Sequence, residues 1–271
     1  MENNPEKNNI TVTILGSGTC VPSLTRSSCS VLIQADDKNL VFDLGPGTMR
    51  RLLEAGVNIF DVSHVFFSHF HPDHTGELVP FLFANKYPDG NRRNQRLTVC
   101  GGTGFLSFYN QLKSVYNNWI DVNGRMNIIE FDHAQNDGHK FDGFTVTSTP
   151  VEHSPESIAF KLTIPDGTSV VYSGDTDYSE NLIKLAQNAD LLICECALPD
   201  QLKTDGHLTP SYAGKIARLA NVKKLVLTHF YPECDSPECG STKIIKQCRK
   251  TYAGPLVLAQ DLLSIKLELC E

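Results

Sequence analysis

The chain has 271 residues, a net charge of −7, 41% hydrophobic residues and 20% charged residues. Such a length and composition can bury a substantial core, while a polar start and the lack of a long apolar run exclude a signal peptide and a transmembrane helix. The nine cysteines lack the spacing of a disulfide framework, so we predict a cytoplasmic protein with one domain over residues 1–271 and a frayed leader over 1–9.

Strands and helices are predicted to alternate along the chain, which is typical of a layered α/β fold. In the first half, strands are predicted near 11–16, 28–34, 39–43, 63–68, 97–100 and 126–131, and helices near 47–55, 74–85 and 104–116. In the second half, strands are predicted near 141–148, 157–164, 168–173, 190–195, 223–228, 256–259 and 263–268, and helices near 178–187, 210–220 and 241–250. Residues 89–94, rich in Gly and Asn, are predicted to form a loop.

The six residues His69–His74, with the sequence HFHPDH, carry three imidazoles and one carboxylate. They follow an apolar run that is predicted to be a buried strand, and Pro72 ends that strand because it cannot continue a ladder. Imidazole together with carboxylate suits zinc, iron or manganese. Four such ligands exceed the need of one tetrahedral site once ligands arrive from elsewhere, so we interpret the cluster as shared by two metals. A histidine-rich surface turn is the alternative.

This motif resembles the H-x-H-x-D-H signature of the metallo-β-lactamase superfamily, whose remaining ligands are single residues at the ends of later strands. Candidates follow here in that order, at His153, Asp175 and His229. One such residue alone is more often a cap or a hydrogen-bond partner, but the ordered set is hard to obtain by chance. The resemblance runs from about Val12 to about Leu267. It implies an αβ/βα four-layer sandwich of two similar halves, with metals at one edge between the sheets.

Within the superfamily, the chain is most similar to the ribonuclease Z branch. The segments 15–22 (LGSGTCVP) and 42–48 (FDLGPGT) look like the first motifs of that branch. The segment 206–209 (GHLT) resembles its additional His-x-Thr motif. The segment 194–197 (CECA) is similar to a His-Glu-Ala-Thr segment that supplies a carboxylate to that histidine, and it keeps Glu195.

Two features depart from the ribonuclease Z pattern. Those enzymes carry a Gly-rich and basic arm that grips tRNA, and in bacterial forms the arm lies between the third and fourth metal motifs. Here these motifs are His153 and Asp175, only 22 positions apart, with a predicted strand, turn and strand between them. In addition, the segment Gly45–Gly47 lacks an acidic residue between its glycines. The resemblance thus implies an intact catalytic centre in a chain that lacks the tRNA-binding arm.

The resemblance implies seven metal ligands, divided between two ions. One ion would be held by His69, His71 and His153, the other by Asp73, His74 and His229, and Asp175 would bridge them. We expect two zinc ions, with manganese or iron as alternatives. We expect Asp73, His207 and Glu195 to serve in catalysis. His207 would donate a proton to the leaving group while Glu195 keeps it basic. Alternatively, His207 is a loop residue before a helix N-cap at Thr209–Pro210.

The leading hypothesis for function is a dinuclear metal-dependent phosphodiesterase that acts on a small or cyclic phosphodiester. The alternatives are a tRNA 3′-processing endonuclease of the ribonuclease Z type, an aryl sulfatase or a lactone or other ester hydrolase, and a non-enzymatic metal-binding or redox module. The last is disfavoured because no flavin or iron–sulfur domain is fused to the chain and because His71 and His74 are intact.

The expected partner is therefore a small phosphodiester or other ester. RNA is less favoured because proteins that grip polyanions are usually basic; no membrane partner is expected, and a homodimer is left open. The only basic cluster is Arg92, Arg93 and Arg96, interpreted as a solvated loop that could compensate for a missing grip. The remaining residues of note are expected to be structural or solvated. These are the histidines His64, His133 and His139, and the cysteines Cys234, Cys239 and Cys248. The cysteines could suggest a second zinc site, but their C-x4-C spacing lacks a second pair, so reduced thiols in a loop are predicted.

Overall fold

The structure is a computed structural model that describes residues 10–86, 93, 95–122, 124–237 and 239–267. Within these residues the strands form two seven-stranded sheets. The first sheet contains β1 (Ile10–Gly16), β2 (Ser30–Ala35), β3 (Lys38–Phe42), β4 (Val62–Phe66), β5 (Leu97–Gly102), β6 (Met126–Phe131) and β14 (Leu263–Leu267). The second contains β7 (Asp137–Phe141), β8 (Phe144–Pro150), β9 (Ile158–Thr163), β10 (Ser169–Tyr172), β11 (Leu191–Glu195), β12 (Leu225–Thr228) and β13 (Leu256–Leu258).

Seven α-helices accompany the sheets in the described part of the chain. They are α1 (Thr48–Glu54), α2 (Pro72–Thr75), α3 (Leu78–Lys86), α4 (Phe105–Tyr116), α5 (Glu180–Leu185), α6 (Pro210–Leu219) and α7 (Gly240–Cys248). The apolar faces of α1, α3 and α4 cover the first sheet, and those of α5, α6 and α7 join the core of the second. This arrangement confirms the predicted α/β sandwich of the metallo-β-lactamase type.

The two sheets repeat one pattern, in the orders β14-β1-β2-β3-β4-β5-β6 and β13-β12-β11-β10-β9-β8-β7. Each has an antiparallel part and a parallel part, which comprises β3 to β6 in one sheet and β10 to β13 in the other. Parallel strands covered on both faces are apolar along their whole length, and every residue of β11 and β12 is buried accordingly. This burial explains the continuous apolar runs from which these strands were predicted.

Aromatic side chains fill the space between the sheets. Phe42 stacks on Phe66 with ring centroids 4.8 Å apart, and Phe160 of the second sheet meets both rings edge-on at 5.8 and 5.6 Å. Such offset and edge-on pairs add to the free energy of area burial. The contact fixes the sheets against each other close to the ends of β3 and β4, where the HFHPDH motif follows.

Two predicted elements differ from the structure. The helix predicted near 74–85 is divided into α2 and α3, with residues 76 and 77 between them. The strand predicted near 141–148 is β8, which forms a hairpin with β7, an additional strand. Asp142 and Gly143 link them, and the positive φ of +84° at the second turn residue is one that glycine adopts without strain. The strand β7 was missed because its sequence, DGHKF, is polar and half-buried.

Arg93 was wrongly assigned to a solvated loop, since its side chain is completely buried. Its Nε donates to Asn85 Oδ1 at 2.7 Å, and its terminal nitrogens donate to the carbonyls of Val62 and Ile59 at 2.7 and 2.8 Å. Burial lowers the pKa of Arg93 to about 10. A buried guanidinium that donates its hydrogen bonds to α3 and to the backbone around the start of β4 cannot contact a phosphate group of a ligand.

Several other predictions concern residues outside the described ranges. Arg92 and most of the predicted 89–94 loop lie there, as does the proposed leader at 1–9. Arg96 is described and exposed. Among the described residues, no helix combines the length and the apolar character needed to cross a membrane.

Candidate metal centre

The motif residues His69–His74 leave β4 and enter the short helix α2. Pro72 occupies its first turn, where a fixed φ and a missing N–H are tolerated. The turn is held against the loop after β3, because Leu44 N donates to His74 O at 2.7 Å. Asp73 and His74 are thus buried, whereas His71 remains exposed and leaves the centre open to solvent.

The later site residues come from one edge of the second sheet. The strands β8, β10, β11 and β12 run in the same direction, so their carboxyl ends meet there. His153 follows β8, Asp175 follows β10, and His229 follows β12. The turn before Asp175 requires Gly174, which has φ +57°, because a Cβ atom there would lie 2.5 Å from Ser68 Cβ.

One group of donor atoms converges around His71. Its Nδ1 lies 3.1 Å from His69 Nε2 and 3.1 Å from His153 Nε2. Asp175 Oδ2 lies 3.8 Å from each of those two Nε2 atoms. The structure therefore brings together the residues that the sequence assigned to the first ion, together with the predicted bridge.

A second group of donor atoms converges on the other side of Asp175. His74 Nε2 lies 3.3 Å from His229 Nε2, and Asp73 Oδ2 is 3.9 and 3.6 Å from these two nitrogens. Asp175 Oδ1 lies 3.2 Å from both nitrogens. Each oxygen of Asp175 thus faces a different group of donors.

The protonation of the imidazoles fits metal ions at both positions. The Nδ1 atoms of His74 and His153 face acceptors, which are Asp43 Oδ2 at 2.7 Å and Gly206 O at 2.8 Å. Each Nδ1 then carries a proton, so in the neutral imidazole Nε2 directs its lone pair into the site. Asp175 Oδ1 is likewise buried without a hydrogen bond.

Lone pairs that converge at such distances repel one another unless a cation lies between them. Donors about 2.0–2.1 Å from a zinc ion stand roughly 3.3 Å apart in a tetrahedron, close to the 3.1–3.3 Å spacing of the nitrogens. Burial raises the pKa of Asp175, but positive charge on the imidazoles of His229 and His74, when these are protonated in the absence of metal, outweighs burial and holds that pKa well below its usual value. A metal cation would take the place of that positive charge. The donor set is thus suited to divalent metal ions.

Asp43 orients histidines in both groups of donors. Its carboxylate accepts a hydrogen bond from His74 Nδ1 directly and another from Ser68 Oγ at 2.8 Å. Ser68 Oγ in turn lies 3.0 Å from His69 Nδ1, so Asp43 reaches His69 through Ser68. Tyr172 of the second sheet donates to the same carboxylate at 2.6 Å. Outer carboxylates of this kind fix the tautomer and direction of metal-binding histidines. Asp43 lay within a motif picked out in the sequence, but nothing in that motif indicated this contact.

His207 lies beside the two groups of donors, forms a third possible donor group with Asp175 and His229, and contacts Glu195. Its Nδ1 is 3.0 Å from Glu195 Oε1, and 3.9 Å from Asp175 Oδ2. Glu195 is buried and also accepts from the backbone N–H groups of Thr176 and Leu208, at 2.7 and 3.0 Å. Burial lowers the pKa of His207, but the hydrogen bond and charge of Glu195 outweigh burial and raise the pKa to about 9. A nearby cation would oppose this rise.

Tyr231 borders the same site and was not recognised in the sequence. Its ring centroid lies 6.1 Å from that of His207 and 6.2 Å from that of His229. Its hydroxyl lies 3.7 Å from Sγ of Cys20, in the loop after β1. The only signal was its position two residues after a predicted ligand.

The remaining histidines and cysteines lie apart from the donor groups. His64 packs edge-on against Phe141 and Phe144, which is a structural role. In the described part of the chain, no cysteine belongs to a group of donors close enough to share one ion. Cys234 and Cys248 are free but buried, and Cys248 lies in α7, so the prediction of loop thiols is wrong at this position.

Comparison with known proteins supports the fold. Ribonuclease Z of Archaeoglobus fulgidus is 25% identical over 94% of this chain and 97% of its own. The metallo-β-lactamase-fold protein YhfI of Bacillus subtilis superposes with a TM-score of 0.80 at 25% identity, covering 96% of this chain and all of that one. The human short-form tRNase Z, ELAC1, superposes with a TM-score of 0.74 at 24% identity, covering 94% and 98%.

These similarities and the donor set define a metal-dependent hydrolase of the metallo-β-lactamase fold that resembles ribonuclease Z. The match to one protein family is more specific. The family model described as Anti-Pycsar protein Apyc1 matches residues 10–249, so the chain belongs to that family.

Proposed function

We propose that this hydrolase is a dinuclear phosphodiesterase that acts on small or cyclic phosphodiesters, with two zinc ions at the metal centre. In this proposal His69, His71 and His153 would hold one ion, Asp73, His74 and His229 would hold the other, and Asp175 would be shared by both. When bound, such a pair of cations supplies Lewis acidity, which activates water and offsets charge on phosphoryl oxygens. The exposed His71 side of the centre gives substrates access.

The protein's own groups would handle the leaving alkoxide. Glu195 holds the Nδ1 proton of His207, which leaves Nε2 as the nitrogen that can donate to the leaving oxygen. The buried carboxylate also keeps the imidazole basic enough to be protonated near neutral pH. Asp43 and Ser68 keep the imidazoles of His69 and His74 directed into the centre while the substrate reacts.

The short connection between His153 and Asp175 carries the proposal for small substrates. It consists of β9, a tight turn and β10, and Gly167 N donates to Ile164 O at 2.9 Å within that turn. Every residue of the connection is described, and none of them forms an arm that could hold tRNA. The exposed neighbours of the site include the acidic residues Glu152 and Asp205, which disfavour a polyanion.

A tRNA 3′-processing endonuclease is the second candidate. It is favoured by the similarity to ribonuclease Z of Archaeoglobus fulgidus along nearly the whole chain. The two candidates share the reaction at phosphorus and differ in how the substrate is held.

The test is a comparison of kcat/KM for zinc-loaded protein with bis(p-nitrophenyl) phosphate, 3′,5′-cyclic nucleotides and precursor tRNA, with an aryl sulfate as a further probe. We expect at least one small diester to exceed precursor tRNA by at least about tenfold at physiological salt, because few phosphate contacts would hold the tRNA. Clean cleavage of precursor tRNA at the 3′ end of the acceptor stem, at low enzyme concentration, would favour the endonuclease instead. Turnover of the aryl sulfate alone would contradict both candidates.

A further inference from the structure

Three turns that carry proposed site residues meet at Asp177. His153 lies in the turn after β8, Asp175 in the turn after β10, and His207 in the loop between β11 and α6. Asp177 belongs to none of the three possible groups of metal donors. Its backbone N–H donates to Glu152 O at 2.7 Å, which ties the first two turns together.

The Asp177 carboxylate ties the third turn to the other two. Its Oδ2 accepts from Lys203 Nζ at 2.6 Å and from the backbone N–H of Gly206 at 3.1 Å. Its Oδ1 accepts from the backbone N–H of Tyr178 at 2.7 Å, which holds the carboxylate in place. Lys203 Nζ donates in addition to Thr204 O at 2.8 Å. Both ends of the segment 203–206 are thereby attached to one carboxylate.

The position of Gly206 affects two site residues at once. Its carbonyl accepts from His153 Nδ1 at 2.8 Å, and His207 is the next residue along the chain. The approach is close, because a Cβ atom at Gly206 would lie 3.2 Å from His153 Nδ1, and φ at Gly206 is +83°. A displacement of this segment would move the candidate proton donor.

We propose that Asp177 is a positioning residue, with Lys203 as its partner, that sets the loop carrying His207 in the geometry needed for proton donation. This inference rests on the proposed function, in which His207 serves as the acid. Lys203 and Asp177 are largely buried, with 27% of either side chain accessible, and both contact the segment that precedes His207. The expected effect is on catalytic geometry, where a misplacement of about 1 Å can cost about a hundredfold in rate.

The experiment compares Asp177→Asn, Lys203→Met and Lys203→Arg with wild type and with the matched control Asp166→Asn. Asp166 also accepts a backbone N–H, from Thr168, but lies at the opposite end of β10 from Asp175. For each protein, kcat is measured with bis(p-nitrophenyl) phosphate, which has a good leaving group, and with a 3′,5′-cyclic nucleotide, whose leaving group is a poor one. Metal content and backbone hydrogen exchange over residues 203–208 are measured on the same samples.

Asp177→Asn and Lys203→Met should lower kcat for the cyclic nucleotide by about tenfold, with a smaller loss for bis(p-nitrophenyl) phosphate and no loss of metal. In both variants, backbone hydrogen exchange over residues 203–208 should become faster. Lys203→Arg should keep kcat and the exchange rate close to those of wild type, and Asp166→Asn should match wild type. Equal losses on both substrates, or unchanged exchange, would overturn the inference. If wild type cleaves neither diester, the proposed function fails, and the exchange measurement alone then decides whether Asp177 holds the loop.

Discussion

Asp175→Ala is expected to lose both metal and activity while the fold survives. Each oxygen of this carboxylate faces a different group of imidazoles, at 3.2 Å on one side and 3.8 Å on the other. Its removal leaves one set of imidazoles and one set that keeps the Asp73 carboxylate, without the shared anion that would hold two cations close together. Hydrolysis of bis(p-nitrophenyl) phosphate should fall by at least about a thousandfold, because the activated nucleophile depends on both ions.

The measurement combines elemental analysis, circular dichroism and turnover on one preparation. Asp142→Ala provides the control, because the Asp142 side chain in the β7–β8 turn is 97% exposed. Its carboxylate lies at the surface, 3.8 Å from Lys38 Nζ. Full activity in Asp175→Ala would show that the turn after β10 has no part in the reaction. Loss of the fold would instead assign Asp175 a structural role.

His207→Ala is expected to keep its metals but to lose turnover. General-acid catalysis contributes about a hundredfold or more, and the loss should be largest for substrates whose leaving group cannot depart without a proton. A 3′,5′-cyclic nucleotide should therefore suffer far more than bis(p-nitrophenyl) phosphate. His139→Ala, a change in the edge strand β7, serves as the control.

Two results would contradict this role for His207. Equal losses for both leaving groups would exclude proton donation as its contribution. Loss of metal would instead place His207 among the ligands. This outcome is possible because His207 Nδ1 lies 3.9 Å from Asp175 Oδ2.

The fold was largely predictable from the sequence because its central strands are buried on both faces. Continuous apolar runs such as LVLT in β12 can end only where the chain turns at the sheet edge, and His229 follows directly. The candidate ligands came from the resemblance, which places them in order at the ends of later strands, and the structure brings these residues together. The edge strand β7 was missed because its residues are polar and its pairing is set by the Asp-Gly turn.

The outer contacts of the site could not be predicted, because they join residues that are distant in the chain. Asp43 and Tyr172 are 129 positions apart, yet they share a 2.6 Å hydrogen bond beneath His74. For Arg93, the sequence led to a wrong prediction of exposure. A basic cluster predicts a solvated surface, but three acceptors on neighbouring elements bury this guanidinium.

The central claim is that one chain holds two divalent cations at the centre built from β4 and the second sheet. Elemental analysis of protein purified without chelator, and again after reconstitution with zinc or manganese, tests this claim most directly. The geometry predicts a value that approaches two metal ions per chain, with the wild-type protein stabilised against unfolding by the added metal. A reproducible value near zero after reconstitution would contradict the metal centre and the phosphodiesterase proposed from it.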